Sequence, residues 1–179
     1  MTTPYETFVR TARDVDAAFA DLSYFVDTLD AQFERQAADR KPESELFAEL
    51  FPSLLHSSLC VSLVSLLEHE MRGYCQALRT ALNIPLAISD LNGNWVERFH
   101  KYTGHLAGLE FELSESDWRD VGALVEMRIC IVHNGGVLDG FAKASMIREF
   151  VSKNGAPDIV HGRLSFSRES TLHIMGTGG

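Results

Sequence analysis

Eight apolar residues near the N-terminus, Phe8, Ala12, Val15, Phe19, Leu22, Val26, Leu29 and Phe33, follow one another in alternating steps of four and three. Only a helix gathers residues so spaced onto one side, so the pattern predicts a single long helix from Tyr5 to about Arg40. Thr2 or Thr3 is placed to cap it, and Pro4 suits its first turn. At ~1.5 Å per residue such a helix is ~50 Å long. That exceeds what a compact domain of 179 residues needs. Two readings stay open: an ordinary bundle helix, or one whose far end packs on a second subunit.

Lys41-Pro42 breaks the pattern, and Glu43 to Leu50 fits a short helical piece ended or kinked at Pro52. Ser53 to Leu82 predicts a second long helix. Ser58, Ser62, Ser65, His69 and Arg72 fall within one stripe of it, beside Leu55, Leu59, Leu63, Leu66 and Leu67. Small side chains in a stripe serve close helix packing, or form a polar wall beside a site. Residues 83–93 read as a loop, with turn signals at Pro85 and Asn92-Gly93. Asn94 is a cap candidate for a helix through Trp95, Phe99 and Tyr102. Phe141 to Ser152 has helical spacing closed by Asn154-Gly155. The period then changes: Ile159, Val160, a turn at His161-Gly162, then Leu164 and Phe166 alternating with serines predict a small hairpin. Ser167 or Ser170 can cap a last short helix, and the tail from Gly176 reads as flexible.

Composition narrows the classes of function. Asp and Glu outnumber Lys and Arg by 25 to 16, a net charge of −9. A chain so acidic lacks the broad basic footprint of a typical DNA-binding module. Any nucleic acid must sit in a local cleft, one that two subunits can build together. Cys60, Cys75 and Cys130 are odd in number and lie in apolar helical patterns, as reduced core thiols of a cytoplasmic protein do. No signal peptide is evident, and no uninterrupted apolar run approaches the ~18 residues of a membrane span. His100 and His105 stand five apart with no cysteine or carboxylate to complete a ligand set, so no metal is expected. Glycine-rich phosphate loops and the common hydrolase and metalloprotease motifs are absent, and no cofactor is expected.

The stretch most suited to chemistry is Ser114 to Gly136. Ser114 and Asp117 form a capping box, and Leu113 and Trp118 stand at the positions of a hydrophobic staple. Asn134-Gly135-Gly136 suits the left-handed turn that closes a helix. Between these ends Val121, Leu124, Val125, Ile131 and Val132 share one face, with Arg128 in its middle. Met127 and Ile129 make the second half apolar nearly all round, as in a buried helix. A buried Arg needs a partner.

Arg128-Ile129-Cys130-Ile131-Val132-His133-Asn134 resembles the R-x4-6-H motif of HEPN domains, small all-helical domains. The H-N-G-G ending and the Leu/Ser-rich helix upstream are similar to stand-alone bacterial members, over roughly residues 50–140. The resemblance implies an all-α, antiparallel helical bundle over residues 1–155, followed by a C-terminal extension, 156–179, with a hairpin or irregular structure. It implies a metal-independent endoribonuclease acting as a homodimer, with a role as toxin or defence effector and an antitoxin or regulatory protein as a further partner. Arg128 and His133 are then catalytic, and Asn134 and Glu68 position the substrate. A His moves protons near neutral pH, and an Arg grips phosphate and stabilises developing charge. Together they suit attack of an RNA 2′-hydroxyl on its own phosphate. Five residues apart is ~140° of helical rotation, so the two side chains converge only through a distorted last turn or a second subunit. Ile129 stands where active members often carry a polar residue, and Gly135 where one subtype has Tyr. The alternative is a non-catalytic HEPN-like module for dimerisation or for binding a nucleotide or partner. In that case Arg128 pairs with Glu68 as scaffold, and His133 and Asn134 only end the helix.

Overall fold

The computed structural model describes residues 3–39, 43–109, 111–174 and 176, and they are mainly helical. In chain order the elements are α1 (Pro4–Ala38), a π-helical turn (Leu46–Leu50), α2 (Phe51–Leu82), a 3-10 turn (Ile88–Asp90), α3 (Trp95–Lys101), a second π-helical turn (Tyr102–Leu106), α4 (Glu115–Asn134), α5 (Ala144–Asn154), β1 (Asp158–Val160), β2 (Arg163–Ser165) and α6 (Arg168–Ile174). The break expected at Lys41-Pro42 and the last tail residues lie outside the described residues.

The long first helix forms as its pattern predicts. Thr3 caps it: the Glu6 N–H donates to Thr3 Oγ1 at 3.1 Å, and the Thr3 N–H returns a bond to Glu6 Oε2 at 2.7 Å. Those bonds from Thr3 hold the Glu6 carboxyl below the usual carboxylate range. Of the seam, Val26 is fully buried, and Val15, Phe19, Leu22, Leu29 and Phe33 are half-buried. Pro52 neither ends nor breaks the second helix. A proline lacks the N–H that an α-helix uses. Here it sits two residues after a π-helical turn, whose closing bond runs from the Phe51 N–H to Leu46 O. The chain passes straight into α2.

Residues Leu46–Leu82 are long and apolar enough, by length and composition, to cross a bilayer: the most apolar window has mean hydropathy 1.8, although serines punctuate it. Within the fold Leu59, Cys60, Leu63 and Val64 of this stretch are core residues.

The chain divides into two compact units that interleave in sequence: Met1–Ala18 with Ser65–Gly122, and Phe19–Val64 with Ala123–Gly179. The first unit has an aromatic core. Tyr74, Cys75, Leu78, Ile84, Phe99 and Tyr102 are buried, with Phe111 and Trp118 packed against them. Asn94 caps α3 by accepting from the Glu97 N–H at 3.0 Å. The Tyr102 hydroxyl, deep in the core, donates to Leu86 O at 3.0 Å.

The second unit is built on Cys60, Ala123, Met127, Cys130, Leu138, Ile147, Phe150, Leu164 and Phe166. The expected hairpin forms, pairing Asp158 with Ser165, Ile159 with Leu164 and Val160 with Arg163. Its two turn residues both have positive φ, His161 at 49° and Gly162 at 76°, as tight hairpin turns require. Leu164 and Phe166 come from the segment expected as an extension, yet they are 5% and 4% exposed and complete this core. The hairpin and α6 are therefore structural parts of the unit.

Candidate functional site

The start of α4 is the expected capping box. The Asp117 N–H donates to Ser114 Oγ at 3.2 Å, while the Ser114 N–H and hydroxyl both donate to Asp117 Oδ2 at 2.8 Å. Leu113 is 45% exposed, and Trp118 goes to the aromatic core, with ring centroids 6.1 Å from Phe99 and 5.0 Å from His100. A large flat indole buries more surface among rings than against one leucine. That contact also accounts for His100.

At its other end α4 stays α-helical through Asn134, and only then turns. Gly135 (φ 59°) and Gly136 (φ 77°) are consecutive left-handed residues. The Gly136 N–H reaches back to Cys130 O at 3.0 Å, and the Val137 N–H to Asn134 O at 3.0 Å. The turn is tied to the hairpin by Leu138 N–H to Gly162 O at 2.8 Å and Leu164 N–H to Gly136 O at 2.9 Å. Asn134 Nδ2 donates to Val137 O, and the Cys130 thiol donates to the same carbonyl at 3.3 Å. Asn134 thus shapes the turn.

The buried side of α4 in this unit runs through Ala123, Met127 and Cys130. The side the sequence pattern picked overlaps it in part: Leu124 and Ile131 pack against this core and Val125 is buried, but Val132 is 50% exposed. Arg128 lies between these conditions. It is half-buried, and its Nε is buried without a hydrogen-bond partner. Glu68, the partner expected by resemblance, is engaged by Arg72 one turn along its own helix. His133 is exposed. Because the last turn is regular, Arg128 and His133 keep the ~140° separation of residues five apart on a helix.

Beside the glycine turn lies a cavity of about 520 Å³, lined by Ser53, Ser57, Ser58 and Ser62 of α2, by Ile131, Gly135 and Gly136, and by Arg163 and Leu164. Ser58 and Ser62 of the predicted polar wall do face an open space next to the helix end. The Ser57, Ser58 and Ser62 hydroxyls donate to carbonyls four residues back, at 2.7, 2.7 and 2.9 Å. Their lone pairs remain as acceptors. Arg163 on the rim comes from the hairpin, far from α4 in sequence, and no local motif marks it.

One polar cluster escaped the sequence reading altogether. His56 is 1% exposed, with Nε2 3.2 Å from Asp30 Oδ1 and Nδ1 3.0 Å from Thr171 Oγ1. Its members are spread along the chain from residue 30 to residue 171. The local sign is a histidine in a helical stretch otherwise made of leucines and serines.

Comparison with family models, with curated proteins and with solved structures finds no match to this chain. What fold and site define is a mainly helical protein whose fourth helix carries an arginine with a buried, unpartnered Nε and, in its last turn, an exposed histidine.

Proposed function

We propose that the chain is a HEPN-type, metal-independent endoribonuclease that works as a homodimer in the cytoplasm. The observation that carries this reading is the state of Arg128. A buried guanidinium N–H with no acceptor costs free energy, and such a cost is borne where the group serves a ligand. A phosphate supplies the acceptor and the countercharge together. His133, exposed at the end of the same helix, is free to move protons to and from RNA oxygens.

The regular last turn of α4 removes one of the two routes by which these side chains can meet. The other is a second copy, so that the Arg128 of one protomer serves the His133 of its partner. Exposed apolar surface supports a partner: Leu46, Leu50 and Leu54, four residues apart, are 42%, 47% and 55% exposed. Asn134 and Glu68 then act as supports, Asn134 through the glycine turn and Glu68 through Arg72. The test is cleavage of mixed RNA substrates in excess chelator. Wild type is expected to cut and His133→Ala to lose ~10²–10⁴-fold. Equal cutting by both, or none by pure wild type, rejects the enzymatic reading. In the latter case the exposed leucine row favours the non-catalytic alternative, a module that dimerises or binds a partner.

A further inference from the structure

Leu46, Leu50 and Leu54 form one exposed row along the first π-helical turn and the start of α2. The row continues at the same four-residue interval as Ser58 and Ser62. Residues four apart on a helix are neighbours on its surface. One ridge therefore carries three large side chains and then two small ones. Beside the small ones the surface is hollow: Leu54, Ser58 and Ser62 line the cavity of about 520 Å³ at the end of α4. Counted outward from Leu54, the ridge is its own complement. Leu50 stands four residues before it and Ser58 four after, and Leu46 eight before and Ser62 eight after. A second α2 laid antiparallel on the first, with a two-fold axis at Leu54, sets each Leu50 over the other copy's Ser58 and each Leu46 over its Ser62. Large meets small along the whole ridge, the self-complementarity that a two-fold contact needs.

The chemistry of the hollow suits a leucine better than an anion. The Ser57, Ser58 and Ser62 hydroxyls donate to carbonyls of their own helix. Their protons are spent, so they have none to give a phosphate, and an apolar neighbour strands no donor. Charge agrees with the antiparallel alignment. Glu45 and Glu49, both exposed, flank the leucine half of the ridge, and Arg163, also exposed, stands on the rim of the hollow half. Antiparallel copies bring each acidic half to the other's basic rim, whereas parallel copies set like against like. The same two carboxylates disfavour an anionic bilayer as the cover for the leucines.

We propose that the leucine row of one copy seats in the serine-lined hollow of a second copy, and that this is the face on which the chain dimerises. This interface presupposes that the chain is a homodimer, as proposed for its function, and nothing about RNA. It also gives the partner a place in the candidate site. Ile131 and Gly135, which line the hollow, follow Arg128 along one side of α4 at steps of three and four residues. A second copy seated there packs against the side of α4 that carries Arg128.

The test uses the full chain and no RNA. Light scattering over a dilution series should show wild type as a dimer. Leu50→Glu should weaken that dimer by at least ~100-fold, because every dimer loses two seated leucines. Ser58→Phe fills the hollow and should weaken it too. Leu54→Cys places its two thiols at the two-fold axis and should give a disulfide-linked dimer on mild oxidation. Leu113→Cys, at a similarly exposed leucine outside the ridge, should link far more slowly. The native cysteines are buried and do not compete. A wild type that stays monomeric overturns the proposal, and one that is monomeric and floats with phosphatidylcholine vesicles assigns the leucines to a membrane instead. A dimer that folded Leu50→Glu leaves intact also overturns it. So does Leu54→Cys that links no faster than Leu113→Cys, a result that decides the matter even if Leu50→Glu fails to fold. RNA cleavage is read separately. A dimer linked at Leu54→Cys by a protein that cuts no RNA upholds this face and rejects only the enzymatic reading, and an active protein that does not link there does the reverse.

Discussion

Replacing Arg128 by Met should make the protein more stable. The side chain is half-buried, and its Nε is buried without a partner. A methionine keeps most of the apolar stem that packs along α4 and removes the orphan donor. An unsatisfied buried polar group costs about 1–3 kcal/mol. The side chain is only half-buried, so the lower end applies, a gain of ~1 kcal/mol. For a chain of this length that raises Tm by ~2–4 °C. Had Glu68 been the partner, the same change would strand a carboxylate and cost ~3–5 kcal/mol. Glu68 is instead held by Arg72, so that penalty is absent. Urea unfolding of wild type and Arg128→Met, with equal slopes, measures the difference. A loss of 1 kcal/mol or more on substitution refutes the reasoning, because it would mean that Arg128 is a satisfied structural residue.

Other outcomes follow from the same geometry. Met127→Ala, at a position with no exposure in the second core, should cost ~2–5 kcal/mol by urea unfolding. Gly136→Ala has room, with nothing nearer than 3.7 Å to an added Cβ, but its φ of 77° should cost ~1–2 kcal/mol in the same assay. Burial pushes the Cys60 and Cys75 thiols up to about 12, so neither should react with a thiol reagent at pH 8 until the protein unfolds. Rapid labelling of either in native protein would contradict their placement. Light scattering at micromolar concentration should give twice the chain mass of 19.9 kDa.

Elements with a strong local signal were legible in the sequence. The four-three seam of α1, the capping residues Thr3, Asn94 and Ser114, and the His161-Gly162 turn each act through neighbours a few positions away. Pro52 misled because its effect depends on the turn before it, and a π-helical turn has no clear sequence mark. The apolar face of α4 misled because the helix is apolar nearly all round, so periodicity could not decide which side meets the core. Val132 is left exposed as a result. Trp118 packs among aromatic neighbours at Phe99 and Phe111, one of them 19 residues away, which no local pattern foretold. Arg128 and His133 were singled out by the resemblance of one helix end to a family motif. Arg163 and the Asp30–His56–Thr171 cluster depend on tertiary placement and had no local pattern to show them.

The central claim is that Arg128 of one copy acts with His133 of another, and mixing two inactive variants tests it directly. Arg128→Met and His133→Ala, unfolded together and refolded at equal amounts, should give homodimers and heterodimers in a statistical ratio. Each heterodimer holds one site with both residues intact and one with neither. Cleavage should return to about a quarter of the wild-type rate, since half the dimers carry half their sites. A mixture as inactive as its components, with both variants folded, dimeric and exchanged and with wild type active, would contradict the account.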